Sequence, residues 1–190
     1  MIRWLVISLL WFSEIQALAA APPEVLTCPS NGTAYNCQVC NCYHESSGEP
    51  QEGRIAVAKT VLSRVAAAQA SISRNQRPDF PNSVCGVIFQ PSQFSWTPGN
   101  NTISAKTAEQ KTALRECRAA VNVAQTEGAN GLIYFYNPRK VTPGWLRLTS
   151  SCGRVGDHVF LVPRGKKCPP KLGSNATPAP QRPRGGGQTR

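Results

Sequence analysis

The 190-residue sequence has no G-x-G-x-x-G fingerprint, no P-loop and no H-E-x-x-H pair. Nucleotide-dependent and zincin-type chemistry therefore have no local support. It has no nucleic-acid-binding motif either, and no nucleic acid is expected as a partner. There is no internal repeat. Beyond the apolar run Trp4 to Phe12, no stretch reads as a membrane span. Acidic residues are scarce: 10 Asp and Glu stand against 21 Lys and Arg, for a formal net charge of +11. From Pro163 onward there is no acid at all, and seven positive charges there leave +4 for the remainder. The basicity is thus mostly a property of the tail. Such a tail suits either simple solvation or affinity for polyanions, anionic cell-envelope polymers among them.

What is present begins with MIRWLVISLLWFSEIQALAA. Arg3 precedes an apolar core too short to span a bilayer, and Ala17-Leu18-Ala19 is an A-x-A cleavage pattern. Residues 1–19 are read as a secretory signal peptide, with a retained anchor as the alternative. The rest suits one domain, secreted or periplasmic in the cell envelope. Eight cysteines on an exported chain imply disulfides. About a hundred pairings are possible, so the connectivity stays open.

Local pattern divides the chain. Residues 20–36 read as an irregular lead-in rich in Pro, Ser, Asn and Gly. A short helix is expected from Gln38 to Glu45, and a turn from Ser46 to Glu49. A helix over 50–69 follows, with Pro50 in its first turn and Ile55, Ala58, Leu62 and Val65 on one face. Val57 and Val61 widen that face, while Arg54, Lys59, Ser63 and Arg64 fall mostly on the other side. Residues 71–83 read as a loop, and Val84 to Phe89 as a strand or a helical turn. A second long helix is expected from Thr107 to Gln125, ended by Gly128 and Gly131. IYFYNP and DHVFLV read as short strands. Residues 163–190 read as a disordered, basic, Pro/Gly-rich tail.

Several groups could carry chemistry. Glu45 stands before a turn full of helix breakers, where a carboxyl in a partly apolar cleft would have a raised pKa and could protonate a glycosidic oxygen. A solvated or capping carboxylate has the same local look. Cys37, Cys40, Cys42 and His44 have a spacing that can hold zinc, but an oxidising compartment favours disulfides. Neither a metal nor a cofactor is expected. Gln93, Phe94, Ser95, Trp96, Tyr134, Tyr136 and Asn137 offer aromatic faces and amides that suit sugar rings, or an aromatic core edge. His158 could be a base, but no nucleophile pattern accompanies it, and a lone histidine is commonly structural.

Taken together, CQVCNCYHESSGEPQEGRIAVAKTVLSRV, FPNSVCGVIFQPSQFSWT, ALRECRAAVNVA, IYFYNP and GDHVFLV resemble, in order, the bacterial cell-wall hydrolase family that includes the spore-cortex-lytic enzymes. The likeness covers about 37–162. It implies an α+β, mainly α, lysozyme-like single domain with a short β region beside the cleft. It further implies a peptidoglycan glycan-strand partner, and a monomer is expected. The family's E-A-R-G-E places its catalytic glutamate on Glu45 and a supporting one on Glu49. The resemblance also places Ser46, Glu49, Gln93, Phe94, Ser95, Trp96, Tyr134 and Asn137 along the substrate. Ser46 and Ser47 stand where the family has Ala-Arg, so a positive side chain is missing beside the acid. Glu45-Ser46 is similar to the Glu-Ser pair of lytic transglycosylases. A hydrolytic muramidase, a phage lysin and a non-catalytic glycan-binding protein are the alternatives.

Overall fold

The computed structural model describes residues 23–99, 101–170 and 172. The stretch read as a signal peptide, and the tail from residue 173, lie outside them. The elements run β1 (Glu24–Thr27), α1 (Ala34–Ser46), α2 (Gln51–Ser73), α3 (Val84–Ile88), β2 (Thr102–Ala105), α4 (Ala108–Glu127), β3 (Tyr134–Tyr136), a 3-10 turn (Gly144–Leu148), β4 (Thr149–Val155) and β5 (His158–Pro163). The architecture is α+β and mainly α. A strand and the first turn of α1 fall inside the stretch 20–36 that was expected to be irregular.

Local chemistry sets the helix ends. The Thr33 hydroxyl accepts the Asn36 N–H at 3.1 Å and starts α1. Pro50 is the N-cap of α2, one residue before the first turn expected for it. Thr107 and Gln110 form a reciprocal capping box on α4, and Gly128, at φ 76°, ends that helix. α2 runs four residues past its expected end at residue 69, because AAAQASIS offers no breaker.

α2 is the central element. Ala58 packs with Val39, Leu114 and Val121 of α1 and α4. Ala56 and Val57 pack with Val155, Phe160 and Val162 of the sheet. Val61 packs with Val87, Ile88 and Phe94. By length and composition α2 could cross a membrane, contrary to the sequence reading, yet it is built into the core of this domain. A helix surrounded on several sides has no free polar face. Arg54, Ser63 and Arg64 are accordingly buried, not solvent-facing as the periodicity suggested. Arg54 donates through Nη2 to the Ser47 carbonyl at 2.7 Å and pairs with Glu116 at 2.8 Å, while its buried Nε has no partner among the described residues. Ser63 accepts the Asn130 and Gly131 N–H groups.

Two small antiparallel sheets complete the domain, β1-β2 and β3-β5-β4. The central strand β5 is buried from His158 to Val162 and joins β4 through a turn at Gly156 and Asp157. All eight cysteines are paired: Cys28–Cys40, Cys37–Cys85, Cys42–Cys117 and Cys152–Cys168. Three of the bonds fix α1, to the β1 loop, to α3 and to α4. The sulfurs of the CQVCNCYH cluster are therefore bonded to sulfur and cannot be zinc ligands. The fourth bond ties the start of the basic tail to β4, and Leu172 packs against the Phe160 cluster. The tail is thus anchored at Cys168 and Leu172, not loose from residue 163.

Candidate active site

Glu45 sits in the last turn of α1, on the lip of a cleft of about 670 Å³. α1 supplies His44 and Glu45, and α2 supplies Arg64. The loop after α3 supplies Ser92, Gln93, Phe94, Ser95 and Pro98. β3 and the loop after it supply Phe135, Tyr136, Asn137, Lys140, Val141, Pro143 and Trp145, and β5 supplies His158. Burial raises the Glu45 pKa above the ordinary carboxylate range, and the charges of Lys140 and Arg64 partly offset the rise. The helix C-terminus, with its outward carbonyls, is also a poor place for an anion. A carboxyl held this way keeps its proton to higher pH, as a general acid requires. Among the described residues lining the cleft, Glu45 is the only carboxyl.

Arg64 reaches the cleft from the core. Its Nε donates to the Ile133 carbonyl at 2.9 Å and its Nη1 to Gln93 Oε1 at 3.1 Å. The guanidinium lies over the rings of Phe80 and Phe94, at 5.4 and 5.6 Å. Burial lowers its pKa to about 10, so it stays charged at neutral pH. Arg64 thus brings a positive charge to the cleft from α2 and holds Gln93 in place.

Of the residues placed along the substrate by resemblance, Gln93, Phe94, Ser95 and Asn137 line the cleft with Glu45. Four do not. Ser46 is next to Glu45, but successive helical residues point about 100° apart. It is buried, and its hydroxyl donates back to the Cys42 carbonyl at 2.9 Å. Trp96 lies behind His44, stacked on it at 4.5 Å, with its indole N–H on Asn41 Oδ1 at 3.2 Å. Tyr134 backs Trp145, stacked at 5.0 Å. Glu49 is turned away, and its Oε2 accepts the Asp157 N–H at 2.9 Å.

The cleft also holds side chains that sequence reasoning passed over or set aside. Arg64 was taken as solvent-facing, and His158 as an isolated histidine. His44 was weighed only as a zinc ligand, and Lys140 and Trp145 drew no attention. Only Trp145 had a local signal, as a lone large aromatic in a Pro-Gly loop.

Comparison with known proteins agrees with this geometry. Residues 48–161 match the profile of the family described as Cell Wall Hydrolase. The spore cortex-lytic enzyme of Halalkalibacterium halodurans is 32% identical over 118 residues, which is 62% of this chain and 31% of that protein. The Bacillus subtilis spore cortex-lytic enzyme is 30% identical over the same length, covering 62% of this chain and 34% of the relative. The chain thus spans about a third of the length of these curated relatives. The crystal structure of the catalytic domain of the Bacillus cereus SleB protein is similar with a TM-score of 0.50 and 28% identity, covering 70% of this chain and 93% of that one. With more than half of its residues matching the family profile, this chain belongs to the cell wall hydrolase family.

Proposed function

We propose that the protein is an exported enzyme of the cell envelope. It cleaves peptidoglycan glycan strands between N-acetylmuramic acid and N-acetylglucosamine by lytic transglycosylation. Glu45 gives its proton to the glycosidic oxygen as the bond to the muramyl anomeric carbon breaks. The muramyl C6 hydroxyl oxygen then bonds to that carbon, and its proton returns to Glu45. The product is a 1,6-anhydro end, and no water is consumed.

One observation carries this reading: a single carboxyl lines the cleft among the described residues. Two-carboxylate glycosidases place a second acid about 5 to 9.5 Å from the first, across the scissile bond. The nearest candidate in sequence, Glu49, is committed to Asp157 and His158. The family match opens at Gly48, three residues beyond Glu45, so the role of Glu45 rests on the cleft and on the quoted motif.

The test is mass spectrometry of fragments from purified sacculi digested with the wild type and with Glu45→Gln. Anhydro-muramyl ends are expected, falling about 10²- to 10⁴-fold in the variant, the usual worth of a general acid–base. Reducing ends would make the enzyme a hydrolase. Undiminished cleavage by Glu45→Gln would remove that residue from the reaction.

A further inference from the structure

Behind the cleft lies a second, buried set of polar groups. His158 belongs to the central strand β5, and its side chain is only 8% exposed. The rings of Phe135 and Phe160 meet it edge-on, at 5.2 and 6.2 Å. Its Nδ1 lies 3.3 Å from Glu49 Oε1. Nδ1 is buried, and the N–H direction there is too poor to count as a hydrogen bond, so the contact is electrostatic. A bare lone pair at that distance from a carboxylate would be repelled. Nδ1 therefore carries the hydrogen, which leaves the lone pair on Nε2. Nε2 has no partner among the described residues and is not one of the buried, unpartnered atoms. His158 lines the cleft, so Nε2 is the ring nitrogen that the cleft can reach.

Glu49 is held firmly enough to fix this ring. It lies in the tight turn between α1 and α2, and its side chain is 10% exposed. Its other oxygen takes the Asp157 N–H across a sequence gap of 108 residues. The close approach needs a glycine at position 156. A Cβ there would come within 1.8 Å of Glu49 Oε2 and 2.7 Å of the Pro50 ring, and φ is +57°. The turn that ends the acid-bearing helix and the turn between β4 and β5 are thus locked together through one carboxylate.

We infer that His158, oriented by Glu49, is a substrate-binding residue whose Nε2 accepts a hydrogen bond from a hydroxyl or acetamido N–H of the bound glycan strand. This rests on the glycan-cleaving reading of the same cleft. Glu49 is a positioning residue: it touches no substrate and acts through the imidazole. Such an acceptor, fixed on the wall opposite α1, sets the position of the sugar against Glu45. It works only while His158 is neutral. Burial lowers the His158 pKa, and Glu49 and Asp157 raise it, while the charge of Lys140 lowers it. Asp157 is in turn paired with Arg139 and Arg154. Activity is then highest with a neutral His158 and a protonated Glu45, and protonating His158 lowers it by no more than the loss of that one hydrogen bond, which gives a bell-shaped pH profile with a partial acid limb. His158 sets the acid limb and Glu45 the alkaline limb.

The experiment is a pH profile of kcat/KM on solubilised glycan strands, using the full chain, with melting curves for each variant. His158→Phe is expected to lose about three- to tenfold in kcat/KM, the value of one hydrogen bond. His158→Gln keeps an acceptor that does not titrate, so it is expected to stay within that range of the wild type and to lose the acid limb. Glu49→Gln removes a charge that raises the His158 pKa, so its acid limb is expected to move to lower pH. An unchanged acid limb in both Gln variants, with folding intact, would overturn the inference, as would full activity in His158→Phe. If the wild type releases no anhydro ends, the reading of the cleft fails instead, and that outcome is separate from these.

Discussion

The wall that carries Glu45 is cross-linked covalently, whereas the wall that carries Lys140 and Trp145 rests on weaker contacts. α1 is bonded through Cys37, Cys40 and Cys42 to three other parts of the domain. The opposite wall, after β3, is held by the stacking of Tyr134 on Trp145 and by an exposed Arg139–Asp157 pair at 3.3 Å. It leaves Val141 and Leu148 more than half exposed. The difference suits the tasks proposed for the two walls. Proton transfer needs its donor held to a fraction of an ångström, whereas a glycan strand is recognised by faces and amides that tolerate small shifts.

The comparison can be broken at graded cost. The largest effect on stability is expected from removing the Cys42–Cys117 bond, which closes a loop with a sequence separation of 75. Chain entropy assigns it about 4 to 5 kcal/mol. The Cys152–Cys168 bond, with a separation of 16, is worth about 3 kcal/mol in the same treatment. Double Cys→Ala variants compared by denaturant unfolding should keep that order, and loss of the first should also lower activity by loosening α1. An equal cost for the two would mean that the acid-bearing wall is not specially braced.

A smaller effect is expected at the join between the walls. Gly156→Ala forces a left-handed residue and displaces Glu49, for about 2 kcal/mol. Its acid limb should shift in the same direction as that of Glu49→Gln, which tests whether the clamp transmits to His158. The smallest effect on stability is expected from Trp145→Ala, under about 1 kcal/mol because the ring is partly exposed. On solubilised strands its KM should rise about tenfold, with kcat little changed, as loss of a stacking face predicts. A fall in kcat with KM unchanged would instead place Trp145 in the chemistry.

Much of the fold was legible before the structure. α2 and α4 declare themselves through apolar spacing and through Pro50, Thr107 and Gly128 at their ends. The strands around IYFYNP and DHVFLV show as short apolar runs. β2 and β4 do not, because TISA and TSSCGRV are short, polar and formed only by pairing with β1 and β5. The candidate site was legible in part. Glu45, Gln93, Phe94, Ser95 and Asn137 meet at the cleft, but Ser46, Glu49, Trp96 and Tyr134 share its motifs without lining it. A motif gives neighbours in sequence, whereas a cleft selects side chains by direction, and direction changes at every residue of a helix or strand.

The sequence by itself determined the long helices, the mainly helical class and the family, and it singled out the carboxyl before the α1–α2 turn that is proposed as the acid. Each of these depends on residues a few positions apart, or on motifs read in order. The tertiary structure alone decided which cysteines pair, that Arg64 points inward, and that Glu49 meets Asp157 and His158. The reason is physical. These are contacts across tens to a hundred residues of chain, as in the Glu49–Asp157 bond, and they form only once burial has brought distant elements together. No local periodicity encodes them.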